Sequence, residues 1–572
     1  MNRRNLDLIW CLAVLIAVPF LLIACGVGSS SNAQLPASGL GFLSSPPTQA
    51  SEGSVYTYTM QANVQGTAFA LANSPSGTVL SGNTITWTPT SQQSRTMNQF
   101  TVSATYGGST ANQSWAVTPV GTIRGTTAET CFTDSGQSVT TFLARNEIGN
   151  TIQILVPNSA GAYDTYSTTV SQDGTFSIPN VPAGSFWLVS LWTKLWTSGS
   201  IINLGAKYWG GCHPEPVASA GSTLQVSASG LNPWQPGDSF YLAVPNERSG
   251  AQWALPATGA TFISPTIPFG SLLLLNSTNG DNAYTAQLVK STYAGIPFQT
   301  LQQFSGPLAV TVQNGAVNSI SVTLQFEPQI NTVRANIGGS LFKALHSSES
   351  RGATEVNQGD NFRVDITPDN TGPSSNGLFM VLASYTFNSD TDVGNVAYAN
   401  PYPTSWTPFV DYYDSAIQNL LPPGAASPFP MPILNRVVTD VFPTASNPII
   451  PLIGPALNPQ INGVSVFQDQ VISNTTPILS WQPPALGSAY VYYIQVQQFV
   501  VTNGTPSLQF KGQLSTTNTS LALPQGLLSS GNSYCFVIES LSRKNLNSSV
   551  APYLETFPEG AADLVSGVIT VQ

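Results

Sequence analysis

Charged residues are scarce in this sequence of 572 residues. Asp, Glu, Lys and Arg together make up 8% of it, against about 25% in an average soluble protein. The 27 acidic and 17 basic residues give a formal net charge of −10, and Lys and Arg form no cluster beyond Arg3-Arg4. Binding to nucleic acid through the body of a protein needs such clusters, so the sequence disfavours a nucleic-acid partner.

Histidine and the usual catalytic motifs are rare as well. The two histidines, His213 and His346, are far apart in the sequence, whereas a zinc site or a histidine-based nucleophile relay needs both, or one with well-placed neighbours. The sequence contains no nucleophile elbow, phosphate-binding loop or zinc-protease helix. We therefore expect no enzyme activity, no cofactor and no metal.

Paired carboxylates leave one route to catalysis open, because a glycosidase needs only an acid and a base. Spacing along the chain cannot pair residues that lie on different strands, so we interpret each carboxylate as structural. The candidates are Glu215, Asp238, Asp365, Asp411 and Asp414.

The N-terminus has the order of an export signal. The basic pair Arg3-Arg4 precedes an apolar run that starts at Leu8 and ends in small residues and Cys25. The run is about long enough to cross a bilayer as an uncleaved anchor. Pro19, in the second half of the run, argues against that alternative.

The end of this run resembles the signal of bacterial lipoproteins, in which Leu22, Ile23 and Ala24 precede the modified cysteine. The resemblance implies that residues 1–24 are a signal peptide and that lipid on Cys25 anchors the mature chain to a membrane outside the cytoplasm. Two or three acyl chains hold a protein firmly, since each buried methylene adds roughly 0.8 kcal/mol. Gly26 carries no acidic retention cue, which favours the outer membrane over the inner one.

Export into an oxidising space permits a disulfide among the remaining cysteines. The plausible pair is Cys131 with Cys212, which bracket one predicted domain, although two unpaired thiols are equally consistent with the sequence. Cys535 lies in a strand pattern and is predicted to be a free buried thiol.

Short alternating segments separated by turn residues indicate strands throughout the chain. Ile85-Thr86-Trp87-Thr88-Pro89 belongs to a stretch that resembles bacterial immunoglobulin-like (cadherin-like) domains, and we interpret Trp87 and Trp115 as core residues there. The turns in residues 172–188 resemble the carboxypeptidase regulatory-like β-sandwich, a non-catalytic module. Residues 477–484 and 527–538 resemble a fibronectin type III domain, which implies a core role for Trp481 and a hydrogen bond between the Tyr534 hydroxyl and nearby backbone.

We therefore predict an all-β fold class: tandem β-sandwich domains, immunoglobulin-like or fibronectin type III-like, after an N-terminal lipoprotein signal peptide. A short helix is expected at residues 340–347, and a rigid aromatic loop at residues 398–406 either faces solvent or covers a sheet edge. The predicted boundaries are 1–24 signal peptide, 25–50 flexible tether, 51–119 immunoglobulin-like domain, 120–213 carboxypeptidase regulatory-like sandwich, 214–327 β-sandwich, 328–459 mixed β region with Pro-rich loops, and 460–572 fibronectin type III-like domain.

Four tryptophans crowd one of these regions, namely Trp187, Trp192, Trp196 and Trp209. Exposed and coplanar rings would form a sugar-binding face, whereas buried rings would form a core or an interface between domains. The first hypothesis for function is thus a non-enzymatic, lipid-anchored binding, adhesion or structural module of the bacterial cell envelope, with an unknown protein or polysaccharide ligand. The alternative is a carbohydrate-binding or polysaccharide-processing surface lipoprotein.

Replacing Cys25 by alanine should release the protein from the membrane or block removal of residues 1–24, because the thiol that receives lipid is gone. Membrane fractionation and intact mass measure both effects. Cys11→Ala, inside the segment that is removed, is the control and should change neither. Unchanged fractionation and mass in Cys25→Ala would count against lipidation.

Overall fold

The computed structural model describes most of the chain beyond the N-terminal segment. The described residues are 39–132, 138–141, 151–190, 193–209, 216–244, 249–253, 256–268, 274–279, 282–349, 352–355, 361–373, 382–385, 390–543 and 550–572. They divide into two compact units: residues 39–48, 56–87 and 98–117 form the first, and the other described residues form the second. Strands dominate both, which confirms the predicted all-β fold class.

The first unit is a small β-sandwich of two three-stranded antiparallel sheets, ordered β1-β4-β3 and β2-β5-β6. Trp87 of one sheet packs edge-on against Phe100 of the other, with ring centroids 5.3 Å apart, and Trp115 stacks on Phe100 at 5.0 Å. Trp87 is buried, as predicted, and Trp115 is half-buried at the side of the same core. The strands are β1 Tyr56–Thr59, β2 Ala68–Asn73, β3 Val79–Ser81, β4 Thr84–Trp87, β5 Asn98–Tyr106 and β6 Ser109–Val117.

The second unit contains the remaining strands and the one α-helix of the described residues. Its first half comprises β7 Gly121–Thr126, β8 Glu129–Phe132, β9 Ser138–Thr141, β10 Thr151–Pro157, β11 Tyr163–Thr169, β12 Thr175–Val181, β13 Phe186–Val189, β14 Lys194–Thr197, β15 Ile201–Asn203, β16 Lys207–Trp209, β17 Thr223–Ser229, β18 Ser239–Val244, β19 Ser249–Trp253, β20 Phe262–Ile263, β21 Thr266–Pro268, a 3-10 turn at Ser277–Asn279, β22 Asn282–Tyr293, β23 Ile296–Ala309, β24 Val317–Thr323 and β25 Gln325–Phe326. Its second half comprises β26 Asn331–Ile337, α1 Gly339–Glu349, β27 Thr354–Glu355, β28 Asn361–Thr367, β29 Ala383–Tyr385, β30 Thr391–Tyr398, β31 Thr407–Leu420, β32 Phe429–Thr439, β33 Leu457–Ile461, β34 Val464–Ser465, β35 Gln470–Ile472, β36 Ile478–Gln482, β37 Val491–Thr502, β38 Thr505–Thr516, β39 Ser520–Ala522, β40 Ser533–Arg543, β41 Glu559–Val565 and β42 Ile569–Val571.

One hydrogen-bonded sheet runs through this second unit and, within the described residues, joins twenty strands. Backbone hydrogen bonds therefore cross the predicted domain boundaries: β14 pairs with β38, β23 with β29, and β32 with β41. The β14–β38 pairing is parallel, whereas its neighbours along the sheet are antiparallel. The main path follows strands β11, β10, β13, β14, β38, β37, β40, β41, β32, β31, β28, β29, β23, β22, β18 and β19.

Hydrophobic cores lie on either side of this sheet. Two of them stay within single predicted domains, around Ile154 and around Leu224. A larger core combines residues from the predicted 214–327 and 328–459 domains, including Phe298 and Tyr412. The two middle regions are thus joined by shared packing as well as by backbone pairing.

The helix predicted at residues 340–347 is confirmed as α1. Asp390 accepts hydrogen bonds from the backbone N–H and the hydroxyl of Ser340 in its first turn. In the aromatic segment 398–406 the rings are buried, whereas residues 403–405 are exposed to solvent. Tyr402 and Trp406 lie in the large core with their rings stacked 5.6 Å apart.

The C-terminal predictions are confirmed at the level of single residues. Trp481 lies in the core of this region, and the buried Tyr534 hydroxyl accepts a hydrogen bond from the Ser529 backbone N–H at 2.9 Å. Cys535 is a free thiol buried in β40.

Trp187 and Trp196 lie opposite each other on β13 and β14, with ring centroids 5.2 Å apart. Both are buried in the C-terminal core around Trp481, so they join two predicted domains. Gly512 permits this contact: a Cβ there would lie 2.8 Å from the Trp187 ring. The buried position of both rings agrees with the alternative in which these tryptophans form a core or an interface between domains.

Trp187→Ala should destabilise the second unit by about 3–5 kcal/mol, the usual cost of removing a buried aromatic ring. Chemical denaturation followed by circular dichroism measures this loss. Phe326→Ala removes a ring that is 62% exposed and should change stability by less than about 0.5 kcal/mol. Equal effects of the two substitutions would argue against the interdomain packing role of Trp187.

Candidate functional site

Strand register gathers charged side chains on one face of the sheet. Residues that pair directly across strands share a face. One such row runs across β28, β31, β32, β41 and β40 through Arg363, Asp411, Val438, Glu559 and Arg543. Each strand alternates its faces with a period of two, so the next positions along these strands add further charged groups to the same side.

A second row on this face places Tyr413 beside Arg436, and Arg436 beside Ala561. A third places Asp563 beside Glu539, and Glu539 beside Tyr493 on β37. The rows are one pleat apart along the strands. Together they bring polar groups from the predicted 328–459 and 460–572 domains into a single surface.

These rows form the floor of a cavity of about 660 Å³, which we call the charged cleft. Segments between the strands complete its wall, including Pro373, Pro552, Tyr553 and Glu555. Among the described residues, nine charged side chains line it, three arginines and six carboxylates, in a chain with only 17 basic and 27 acidic residues. They are Arg363, Asp365, Asp411, Arg436, Glu539, Arg543, Glu555, Glu559 and Asp563.

Each arginine of the cleft is paired with a carboxylate. Arg436 donates to both oxygens of Asp411, at 2.9 and 3.0 Å, and lies 3.7 Å from Glu555. Arg543 donates to both oxygens of Glu559, at 2.6 and 3.2 Å.

Arg363 pairs with Asp365 two residues further along β28, at 2.9 Å. The pairs Arg363–Asp365 and Arg543–Glu559 are largely removed from water, and in the third pair Asp411 is buried while Arg436 is partly exposed. Removing one partner of a buried pair leaves an uncompensated buried charge.

Burial raises the pKa of three cleft carboxyls, Glu539, Asp365 and Glu559. Desolvation raises the pKa of Glu539 to about 7; nearby Arg543 opposes this rise, whereas Glu559 and Glu555 add to it. Desolvation also raises the pKa of Asp365 to about 6, against the opposing effect of Arg363. Carboxyls with such raised pKa values in a cavity are frequent at functional sites.

Glu539 differs from the other carboxylates of the cleft in its contacts. Among the described residues, its carboxyl has no hydrogen-bond or ion-pair partner. Its side chain is largely buried and lines the cavity. The carboxyl therefore faces the space that a ligand would fill.

No family model matches the chain. Among curated proteins it is similar to Laccase-5 of Trametes versicolor, with 24% identity over 235 residues that cover 38% of this chain and 43% of that protein. It is also similar to Laccase-5 of Trametes villosa, with 26% identity over 160 residues that cover 27% of this chain and 29% of that protein. The chain thus spans less than half the length of these curated relatives.

Solved structures of tandem immunoglobulin domains align with the chain over its length. Sidekick-1 immunoglobulin domains 1-5 align with 9% identity and a TM-score of 0.15, covering 93% of this chain and 99% of that chain. The N-terminal four Ig domains of Dscam1 isoform 4.44 align with 7% identity and a TM-score of 0.13, again covering 93% and 99%. TM-scores of 0.15 and 0.13 are too low to assign the domains of this chain to a family, so the individual domain families stay predictions.

The cleft includes two of the five carboxylates singled out in the sequence, Asp365 and Asp411. Asp238 instead accepts backbone hydrogen bonds from Gln235 and Lys290, and is structural. Asp414 pairs with His346 at 2.6 Å on the other face of the sheet. Glu215 lies outside the described residues.

Several predicted sites lie outside the described residues, namely Cys25, Trp192, Cys212, His213 and the side chain of Trp209. Cys131 is buried and disulfide-bonded. Its pairing with Cys212 stays a prediction.

Patterns in the sequence did not predict that five further residues belong to one site, namely Arg363, Arg436, Arg543, Glu539 and Glu559. One available signal was their concentration in β-rich segments of a chain with so few charges. Isolated charged residues inside otherwise apolar strands are expensive unless they are paired, so they mark positions that need a partner.

The cleft is suited to binding a small polar ligand. Within the described ranges, no three or more His, Cys, Asp or Glu side chains are placed to hold a metal ion. Aromatic and apolar walls with a few convergent polar groups are typical of small-molecule pockets.

Glu539→Gln should make stability less dependent on pH. A carboxyl with a pKa raised from 4.5 to about 7 holds its proton more tightly in the folded than in the unfolded chain, so it costs stability as pH rises through this window. The variant should equal wild type near pH 4.5 and unfold at a temperature several degrees higher at pH 8, since the full shift is worth up to about 3 kcal/mol.

Thermal unfolding followed by circular dichroism at both pH values measures the difference. The exposed Asp440, changed to Asn, is the control and should retain the wild-type profile. A Glu539→Gln variant with the wild-type pH profile would show that this carboxyl is not desolvated.

Proposed function

We propose that this chain is a lipid-anchored, extracytoplasmic protein of the bacterial cell envelope, held at the outer membrane through Cys25, that binds a ligand without transforming it. The observation that carries the binding function is the charged cleft. It concentrates nine charged groups around a cavity in a chain with 8% charged residues. A purely structural sheet face gains little from buried ion pairs, because apolar residues of similar size stabilise as well or better.

The form of the second unit supports this proposal. The sheet pairs the strands that supply the cleft by backbone hydrogen bonds, so the site is built on strands and not on loops alone. A rigid floor holds its groups in place before a ligand arrives, which lowers the entropic cost of binding.

Among the described residues, no helix has both the length and the apolar character needed to span a membrane.

The alternative, carbohydrate binding or polysaccharide processing, is supported by a different observation. Trp187 and Trp196 are buried, so neither ring can belong to an exposed sugar-binding face. The carboxylate part of the hypothesis gains support, since Asp365, Asp411 and Glu539 line one cavity. An acid and a base for glycoside hydrolysis need such a pair of carboxyls in differing environments.

A substitution that fills the cleft without changing its charge tests the proposal. Leu434 lines the cleft and is 43% exposed, so Leu434→Trp should block entry while the strand stays folded. Val500, 39% exposed on β37 and outside the lining, provides the matched control Val500→Trp.

Calorimetric screening of the mature chain against metabolite and oligosaccharide panels should find a ligand whose binding is reduced at least tenfold in Leu434→Trp and unchanged in Val500→Trp. Release of product from a polysaccharide, lost in Leu434→Trp, would favour the alternative function. Binding that both variants retain equally would exclude the charged cleft as the ligand site.

A further inference from the structure

The charge balance of the cleft is strongly one-sided. Its three arginines face six carboxylates, so the formal charge of the nine groups is −3. The guanidinium groups are already committed to Asp365, Asp411 and Glu559. An anionic ligand would have to displace these pairs, whereas a cation would meet an excess of negative charge.

The excess charge is concentrated at one end of the cleft. Asp563 and Glu539 lie opposite each other on β41 and β40, and Tyr493 lies beyond Glu539 on β37. Asp563 accepts a hydrogen bond from the Leu434 backbone N–H. Glu539 has no such partner within the described part of the chain, so its carboxyl is available to pair with an incoming cation.

The walls indicate an organic cation. Phe409, Tyr493 and Tyr553 contribute aromatic surface, and Leu434 and Pro552 contribute apolar surface. Aromatic faces attract ammonium and guanidinium groups, and apolar walls cover alkyl chains. A divalent metal ion would instead need several converging oxygen ligands, and the described residues offer no such group.

We propose that the charged cleft binds a small aliphatic amine, with its primary ammonium group against the carboxylate of Glu539 and its alkyl chain along the aromatic wall. This inference rests on the proposed function and names the ligand class for the same site. Polyamines and basic amino acids share this chemistry.

Binding is coupled to the release of a proton. The raised pKa of Glu539 means that some of the molecules carry a proton on this carboxyl in the empty cleft near pH 7. An ammonium group stabilises the carboxylate form, so the proton leaves Glu539 for the solvent while the amine keeps its own protons. The affinity should therefore rise with pH between 6 and 8.

Titration calorimetry on the full mature chain tests this proposal, with spermidine and L-lysine as the two probes. Measurements in two buffers of different ionisation enthalpy at pH 7 report the number of protons released. Wild type should bind at least one probe, show a net release of protons at pH 7 and bind several-fold more tightly at pH 8 than at pH 6. Spermidine alone indicates a polyamine ligand, and L-lysine indicates a basic amino acid.

Glu539→Gln should weaken binding at least tenfold and abolish the proton release. Glu327→Gln is the matched control, since the same change is made on a partly buried glutamate outside the cleft, and it should bind as wild type does. Equal binding by the two variants would overturn the proposal.

Failure of this inference can be distinguished from failure of the proposed function. If neither amine binds but another ligand is lost in Leu434→Trp, the ligand class is wrong and the binding function stands. If no ligand of any class is lost in Leu434→Trp, both fail.

Discussion

The pairing of β32 with β41 is the constraint on which the candidate site depends. It aligns Arg436 with Ala561 and Val438 with Glu559, and it joins the two regions that supply the charged groups. A slip of one residue in this register would turn every side chain of β41 to the opposite face. Glu559 and Asp563 would then face the apolar side of the sheet instead of the arginines of the cleft. The ion pairs and the sheet register therefore depend on each other.

Local signals in the sequence predicted much of the secondary structure. Alternation predicted the strands and the apolar spacing near Leu341 predicted α1, whereas the backbone contact of Tyr534 was implied by the resemblance to a fibronectin type III domain. Local signals do not encode the tertiary arrangement, because pairings such as β14 with β38 join segments from opposite ends of the second unit. The site could not be predicted for the same reason. Asp411 and Glu559 share one face of the sheet only because β32 lies between their strands. No spacing along the chain encodes that arrangement.

The chain combines two opposite uses of polar groups. Only 8% of its residues are charged, while several of its buried charged side chains, Arg363, Asp365, Asp411 and Glu559, lie in one cleft. Such a concentration costs stability through desolvation, and proteins commonly tolerate that cost where a site must be ready for a ligand. A sheet of twenty strands, with apolar cores beside it, is rigid enough to hold these charged groups in place despite that loss of stability.

The hydrogen bond from the Tyr163 hydroxyl to the carbonyl of Gln525 links residues 362 positions apart. Together with the nearby burial of Trp187, it means that the early part of the second unit cannot be completed until the last segment of the polypeptide is present. Contacts of such long sequence separation form slowly, because a large loop must close first. A chain that leaves a ribosome or a translocation channel from its N-terminus therefore carries exposed indole rings for most of its passage, and needs shielding from other nascent chains until synthesis or transport ends.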